Sequence, residues 1–218
     1  MLSLVQTLCV WILPVLLAIT LHEAAHAFVA YRFGDSTSKM MGRLTLNPIK
    51  HIDLIGTIAV PILVGLLSQF NFIFGWAKPV PINYNQLGNP RRDMALVALA
   101  GPFSNIIMAF LWAILLKIGI MLDPRSSIIA LFLVLTGQAG IFINLILAFL
   151  NLIPVPPLDG SRVVSGLLRP DLAATYNRIE PYGLIIILVM LATNILSMLI
   201  TPPMIWSLRF IHTLFGIH

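Results

Sequence analysis

His22-Glu23-Ala24-Ala25-His26 lies within an apolar segment that runs from about Leu4 to Val29. On a helix, residues i and i+4 sit one above the other. The spacing therefore offers two imidazoles to one ion, and Glu23, one residue round, can reach a water on that ion. The same pattern can decorate a helix on the surface of a soluble protein, but decoration needs water, and Val10 through Leu21 offers none. Inside a membrane, ionisable groups cost at least about 2.5–3.5 kcal/mol each on insertion scales, so three within one turn call for partners and a function. The segment reads as a membrane helix that carries a metal site.

Composition agrees with a membrane setting. Of the 218 residues, 59% are hydrophobic and 10% charged, against roughly a quarter charged in soluble domains. The longest polar stretch, 151–181, is shorter than the roughly 50 residues of a separate soluble domain. The expectation is a single membrane-embedded domain over 1–218, with a catalytic core at about 4–164 and C-terminal helices at about 182–218. The lone Cys9 excludes an internal disulfide. The net charge of +5 sits in short loops between apolar segments, where membrane topology places it, so no nucleic-acid partner is implied. The N-terminus lacks a basic start and a small-residue cleavage site, and is expected to be retained as a helix.

Taken in order, the first helix runs from about Leu4 to Tyr31, long enough to cross a bilayer, with Pro14 inside it and Gly34 beyond its end. Gly42-Arg43-Leu44-Thr45-Leu46-Asn47-Pro48 alternates polar and apolar residues, the period of a short strand or hairpin closed by a proline. Leu54–Phe74 is apolar and long enough to span, yet it contains Gly56, Pro61 and Gly65. Further helices are expected at about Asp93–Ile120 and Ile128–Leu150. A polar linker at 151–181 precedes a span from Tyr182 to about Ile200, broken by Pro202-Pro203, and the last residues form an interfacial helix or part of a sixth span. The fold class is an all-α polytopic membrane protein of four to six membrane helices, with a short strand or hairpin near the active site.

Charge bears on topology. If Leu54–Phe74 crosses fully, the basic residues divide almost evenly between the two sides. If it enters and returns, Arg32, Lys39, Arg43, Lys50, Lys78, Arg91, Arg92, Arg162, Arg169 and Arg178 share one side, and only Lys117, Arg125 and Arg209 take the other. The positive-inside rule prefers the second arrangement. That arrangement also brings the end of the first helix and the end of Ile128–Leu150 to the same face. A re-entrant Leu54–Phe74 is therefore expected.

Catalytic zinc usually takes three protein ligands and leaves one position open. Asp159 is the best third candidate: it follows the run Pro154-Val155-Pro156-Pro157-Leu158, which unwinds backbone just after an apolar helix. An Asp-Gly dipeptide is also a common turn. His51 with Asp53 is a rival source of a ligand, whereas His212 and His218 read as interfacial or tail residues. Gly137, Asn144 and Asn151, seven apart, form a small, polar stripe that either lines a water path or bonds helices together.

With His-Glu-Ala-Ala-His at 22–26 and Asn151-x-x-Pro154-x-Pro156-x-Leu158-Asp159-Gly160, the chain resembles the site-2 protease family of intramembrane zinc metalloproteases. The resemblance covers about Leu4 to Val164, and Gly101-Pro102-Phe103-Ser104-Asn105 is similar to the start of the family's intervening helix. It implies one zinc ion held by His22, His26 and Asp159, Glu23 as general base, and Asn151 as a substrate or oxyanion contact. Asn105, Arg43, Leu44 and Thr45 are further candidates for substrate binding, the last three by adding an extended peptide to the strand at 42–47. The implied activity is hydrolysis of peptide bonds in or near transmembrane segments, with a transmembrane protein or peptide as substrate, in the lipid bilayer and near the cytosolic side. The implied location is the plasma membrane if the source is bacterial. Unlike many relatives, the sequence leaves no room for a PDZ or CBS domain, and it carries the additional segment 54–74.

Two other classes fit less well. A membrane di-iron oxidase needs several histidine clusters, and this chain has five histidines with one pair at that spacing. A zinc-holding protein or transporter without proteolysis shares the ligands but does not need Glu23 as a base.

Overall fold

The computed structural model describes residues 4–60, 63, 66 and 78–217. These residues form helices and loops with no strand among them. Four helices are long and apolar enough to cross a membrane: α1 (Leu4–Arg32), α3 (Pro90–Met121), α4 (Ile128–Asn151) and α8 (Ile195–Phe215). Between them lie the short helices α2 (Thr37–Met40), α5 (Asp159–Leu167), α6 (Pro170–Asn177) and α7 (Gly183–Ala192). The chain is a multi-pass, all-α membrane protein.

Local chemistry explains the helix ends. α1 closes where Gly34 takes a φ of 107° and the Asp35 N–H reaches back to the Ala30 carbonyl at 3.0 Å, a wrap open to glycine because it lacks Cβ. α3 opens on Pro90, whose missing N–H costs nothing in the first turn, and the Asp93 carboxylate accepts the Asn89 N–H at 2.6 Å. The Ser127 hydroxyl caps α4 by accepting from the Ala130 N–H.

Helices α1, α3 and α4 pack against one another, and α5 lies against α3. Small residues permit the approach: a Cβ on Gly140 would strike the Trp112 ring, and one on Gly137 would meet the Leu116 backbone. Close packing at small residues is a driving force for helix association in lipid, where burial of apolar surface is not. The apolar core is built on Ala109, Trp112, Leu116, Ile141, Leu145 and Ile211.

Several expectations change. Residues 42–47 form a turn and bends rather than a strand. The backbone groups that would make a free edge are used inside the loop: the Arg43 N–H donates to the Ser38 carbonyl, and the Thr45 carbonyl accepts from His51 Nε2. The linker after α4 folds into α5 and α6. The C-terminal break falls at Asn194, at φ 60°, and α8 continues through Pro202 and Pro203. Asparagine visits the left-handed region more readily than most residues, while prolines are tolerated in membrane helices whose freed carbonyls find other partners. Gly101–Asn105 lies in the middle of α3, not at a helix start.

The expected re-entrant segment lies largely outside the described residues. Its entry, Leu54–Ala59, is a π-helical turn capped by the Asp53 carboxylate. Its two flanks meet: the Lys78 N–H donates to the His51 carbonyl at 3.0 Å. The loops beyond them are joined as well. Asp35 accepts from the Asn83 N–H at 2.6 Å, the Ser38 hydroxyl donates to the Pro81 carbonyl at 2.5 Å, and the Gly88 N–H donates to the Phe33 carbonyl at 3.1 Å.

Candidate active site

His22 and His26 lie one turn apart on α1, about 15 Å and about 9 Å from its Arg32 end at 1.5 Å per residue. Facing them is Gly101 of α3. A Cβ there would stand 2.6 Å from both Cε1 and Nε2 of His22 and closer still to His26, so only glycine leaves room for both rings. α4 then ends at Asn151, the proline-rich turn reverses the chain, and Asp159 enters as the first residue of α5. Gly160 is constrained in the same way, since its Cβ would lie 2.6 Å from the Ile153 carbonyl oxygen.

The three side chains converge. Asp159 Oδ2 is 3.0 Å from His22 Nε2 and 3.3 Å from His26 Nε2, and the two Nε2 atoms are 3.0 Å apart. The outer ring nitrogens determine what the inner ones present. His26 Nδ1 lies 2.7 Å from the Val97 carbonyl oxygen, which can only accept. His22 Nδ1 lies 2.6 Å from Asn105 Oδ1. The Asn105 amide is oriented by its own Nδ2, which donates to the Ala18 carbonyl at 3.1 Å and to Asn144 Oδ1 at 2.9 Å. Both imidazoles therefore donate from Nδ1, and a neutral ring then turns an Nε2 lone pair inward.

Two lone pairs and a carboxylate oxygen thus face one point, and Asp159 Oδ2 is buried without a hydrogen bond of acceptable geometry. Such a group of acceptors calls for a cation. The distances suit zinc: ligands about 2.0–2.1 Å from a tetrahedral ion stand about 3.3 Å from each other. Among the described residues these three are the one group of histidine, cysteine and acidic side chains able to hold a metal ion. The rival His51 is elsewhere, buried in its loop with Nε2 donating to the Thr45 carbonyl, while Asp53 caps the following turn.

Glu23 does not join the ligands. Its Oε2 accepts the Val80 N–H at 2.9 Å, which ties the helix to the extended stretch Lys78-Pro79-Val80-Pro81. Of the expected substrate contacts, Asn105 is fully buried behind His22 and faces no surface that a substrate could reach. Asn144 is also fully buried, which selects helix-to-helix bonding over a water path. Asn151 is half-buried at the end of α4, with Nδ2 donating to the Leu147 carbonyl. The Arg43 guanidinium is bound to the Lys50 carbonyl, and Leu44 and Thr45 sit half-buried in the same turn. Sequence reasoning missed the roles of Gly101, Val97 and Val80. Gly101 alone carried a signal, as a glycine within an otherwise helical pattern.

A helical membrane bundle with two histidines from one helix, an aspartate from a later turn and a glutamate beside the first histidine has the make-up of a candidate metal site within a membrane protein. The comparisons agree. The model of Peptidase family M50 matches residues 117–193. The chain is 41% identical over 196 residues to "Putative zinc metalloprotease YwhC" of Bacillus subtilis, covering 88% of this chain and 84% of that protein. It is 29% identical over 195 residues to "Putative zinc metalloprotease Rip2" of Mycolicibacterium smegmatis, covering 89% of this chain and 71% of that one. No solved structure shows a significant match. This chain belongs to peptidase family M50, the site-2 protease family of metalloproteases.

Proposed function

We propose that this protein is a zinc-dependent endopeptidase that cleaves transmembrane segments of membrane proteins from a site open toward the cytosolic side. The observation that carries the reading is the convergence of His22 Nε2, His26 Nε2 and Asp159 Oδ2 inside a bundle of membrane-length helices, with Glu23 next to the first ligand. When bound there, zinc supplies Lewis acidity toward water and a peptide carbonyl.

The chain's own residues do the rest. Glu23 Oε2 is held by the Val80 N–H, which leaves the other carboxylate oxygen to take the proton from the attacking water and to pass it to the departing amine. Asn151, at the mouth between α4 and the proline-rich turn, is the candidate to hold the substrate backbone. Helical hydrogen bonds bury the carbonyl to be attacked, so the substrate unwinds before it is cut, and glycine or proline near the scissile bond favours that step.

Orientation follows from charge. The loops 32–53 and 78–89 pack together, and the Arg91 guanidinium binds the Leu168 carbonyl between α5 and α6. Ten of the thirteen basic residues therefore lie on the segments gathered at this end of the bundle, which supports a cytosolic placement.

The test is Glu23→Gln, measured with a transmembrane reporter in proteoliposomes. Cleavage should fall by about 10²–10⁴-fold, the typical worth of a general base, while one zinc per chain is retained. Near wild-type cleavage in Glu23→Gln would overturn Glu23 as the base, and a wild-type protein that holds zinc and cuts no membrane substrate would overturn the reading in favour of a zinc-holding protein.

A further inference from the structure

Asn144 lies one residue beyond anything the zinc site itself requires. It is fully buried in α4, thirty-nine residues from Asn105 in sequence, and both of its amide groups are committed. Nδ2 donates to the Gly140 carbonyl at 2.8 Å, and Oδ1 accepts from Asn105 Nδ2 at 2.9 Å. Asn105 in turn presents Oδ1 to His22 Nδ1.

The chain of bonds has a direction. It starts at a backbone carbonyl of α4, which can only accept, and so turns the Asn144 amide with its oxygen toward α3. That oxygen accepts from Asn105, whose own oxygen is thereby aimed at α1. His22 must then carry its proton on Nδ1, which leaves Nε2 unprotonated toward the ligand cluster. A second carbonyl, that of Ala18, sets Asn105 the same way round. Reversing either amide would place oxygen against oxygen at a position buried from solvent, where an unmade hydrogen bond carries its full cost.

Two simpler accounts fit less well. If Asn144 served only to hold α3 and α4 together, the close contacts of Gly137 and Gly140 with Leu116 and Trp112 would already do so. If it lined a path for water, it would not be sealed with both amide groups spent.

We infer that Asn144 is a positioning residue for metal binding: through Asn105 it holds His22 in the tautomer and orientation that coordinate zinc. The inference rests on the zinc site proposed above and extends it from the ligands to a third helix.

The experiment measures the zinc dissociation constant of the full-length protein in detergent by competition with a chromogenic chelator. Asn144→Leu keeps the branched shape and the number of heavy atoms, though with bulkier methyl groups, and removes both polar groups. It should weaken zinc about tenfold, within the roughly 10–100-fold loss found when outer partners of a ligating histidine are removed. Asn144→Asp, which keeps an acceptor for Asn105 and in its protonated form a donor for Gly140, should stay within about threefold of wild type. On an Asn105→Leu background, Asn144→Leu should add less than about twofold, because the relay is already cut.

A residue that only packs helices predicts the opposite order, with leucine tolerated and aspartate harmful. Equal zinc affinity in Asn144→Leu and wild type, weaker binding in Asn144→Asp than in Asn144→Leu, or full additivity with Asn105→Leu overturns the relay. If Asn144→Leu fails to fold, Asn144→Asp decides, since a loss greater than tenfold in a folded protein sinks the inference. A wild-type protein that takes up no zinc would instead sink the site, so the two failures are told apart.

Discussion

The two halves of the site are built differently. His22 and His26 sit deep in the bundle, and each outer ring nitrogen is bound to a partner on α3, the Asn105 side chain or the Val97 carbonyl. Asp159 and Glu23 sit on the loop side. Asp159 enters from a turn of prolines and Glu23 is held by one backbone N–H of an extended stretch. Side chains locked by buried hydrogen bonds move little, whereas Glu23, on α1 but held by one loop amide, and Asp159, at a helix start just after a proline-rich turn, can adjust. On the proposed function, the arrangement pairs a rigid wall that would hold the metal with an adjustable wall at which a substrate would enter.

The largest expected effect comes from taking the ligand away from the adjustable wall. Asp159→Ala should abolish cleavage and leave substoichiometric zinc after purification, because two histidines alone do not complete a catalytic site. If zinc content stays full and His51→Ala removes it instead, the two walls have been wrongly paired.

Next comes a change that touches the rigid wall without altering any ligand. Gly101→Ala puts a methyl group against both imidazoles, and overpacking of this kind costs about 1–3 kcal/mol. Zinc affinity should therefore fall by between about fivefold and a hundredfold, measured by chelator competition. An unchanged affinity would mean that the wall yields, and the contrast with the loop side would lose its basis.

A smaller effect is expected at Val80. Val80→Pro removes the N–H that Glu23 accepts and inserts no group into the ligand set. The net worth of one such bond is about 0.5–1.5 kcal/mol, so kcat should drop by up to about tenfold with zinc content unchanged. Val80→Ala, which keeps the N–H, should stay near wild type. A loss of zinc in Val80→Pro would show that the loop supports the metal as well as the base.

The mildest prediction perturbs nothing. In a Cys9→Ser background, Met41→Cys and Asn85→Cys, both at exposed positions, should be labelled from the same side of the membrane, since their loops are bonded together. Accessibility from opposite sides would separate the loops and break the charge argument for a cytosolic site.

How much of this was legible before the fold was known depends on the range over which each residue acts. The histidine pair and Glu23 could be read because a helix sets their spacing locally, and Asp159 could be nominated because prolines and a glycine mark an unwound turn. The long helices could be read from apolar length, since the bilayer accepts few other backbones. The proposed strand at 42–47 failed because a period of two over so few residues is equally the pattern of a loop that spends its polar groups on itself. The break assigned to Pro202-Pro203 failed because packing within a membrane bundle tolerates proline, while Asn194 supplied the turn.

By itself, then, the sequence determined that the chain crosses a membrane several times and which residue types stand ready to bind a metal. Only the tertiary structure decided what those residues meet. His22 finds Asn105 eighty-three residues away, Glu23 finds the Val80 amide fifty-seven residues away, and Gly101 leaves the space that both rings occupy. The physical reason is that a side chain's tautomer, orientation and free volume are set by its spatial neighbours, and no local propensity names a neighbour on another helix.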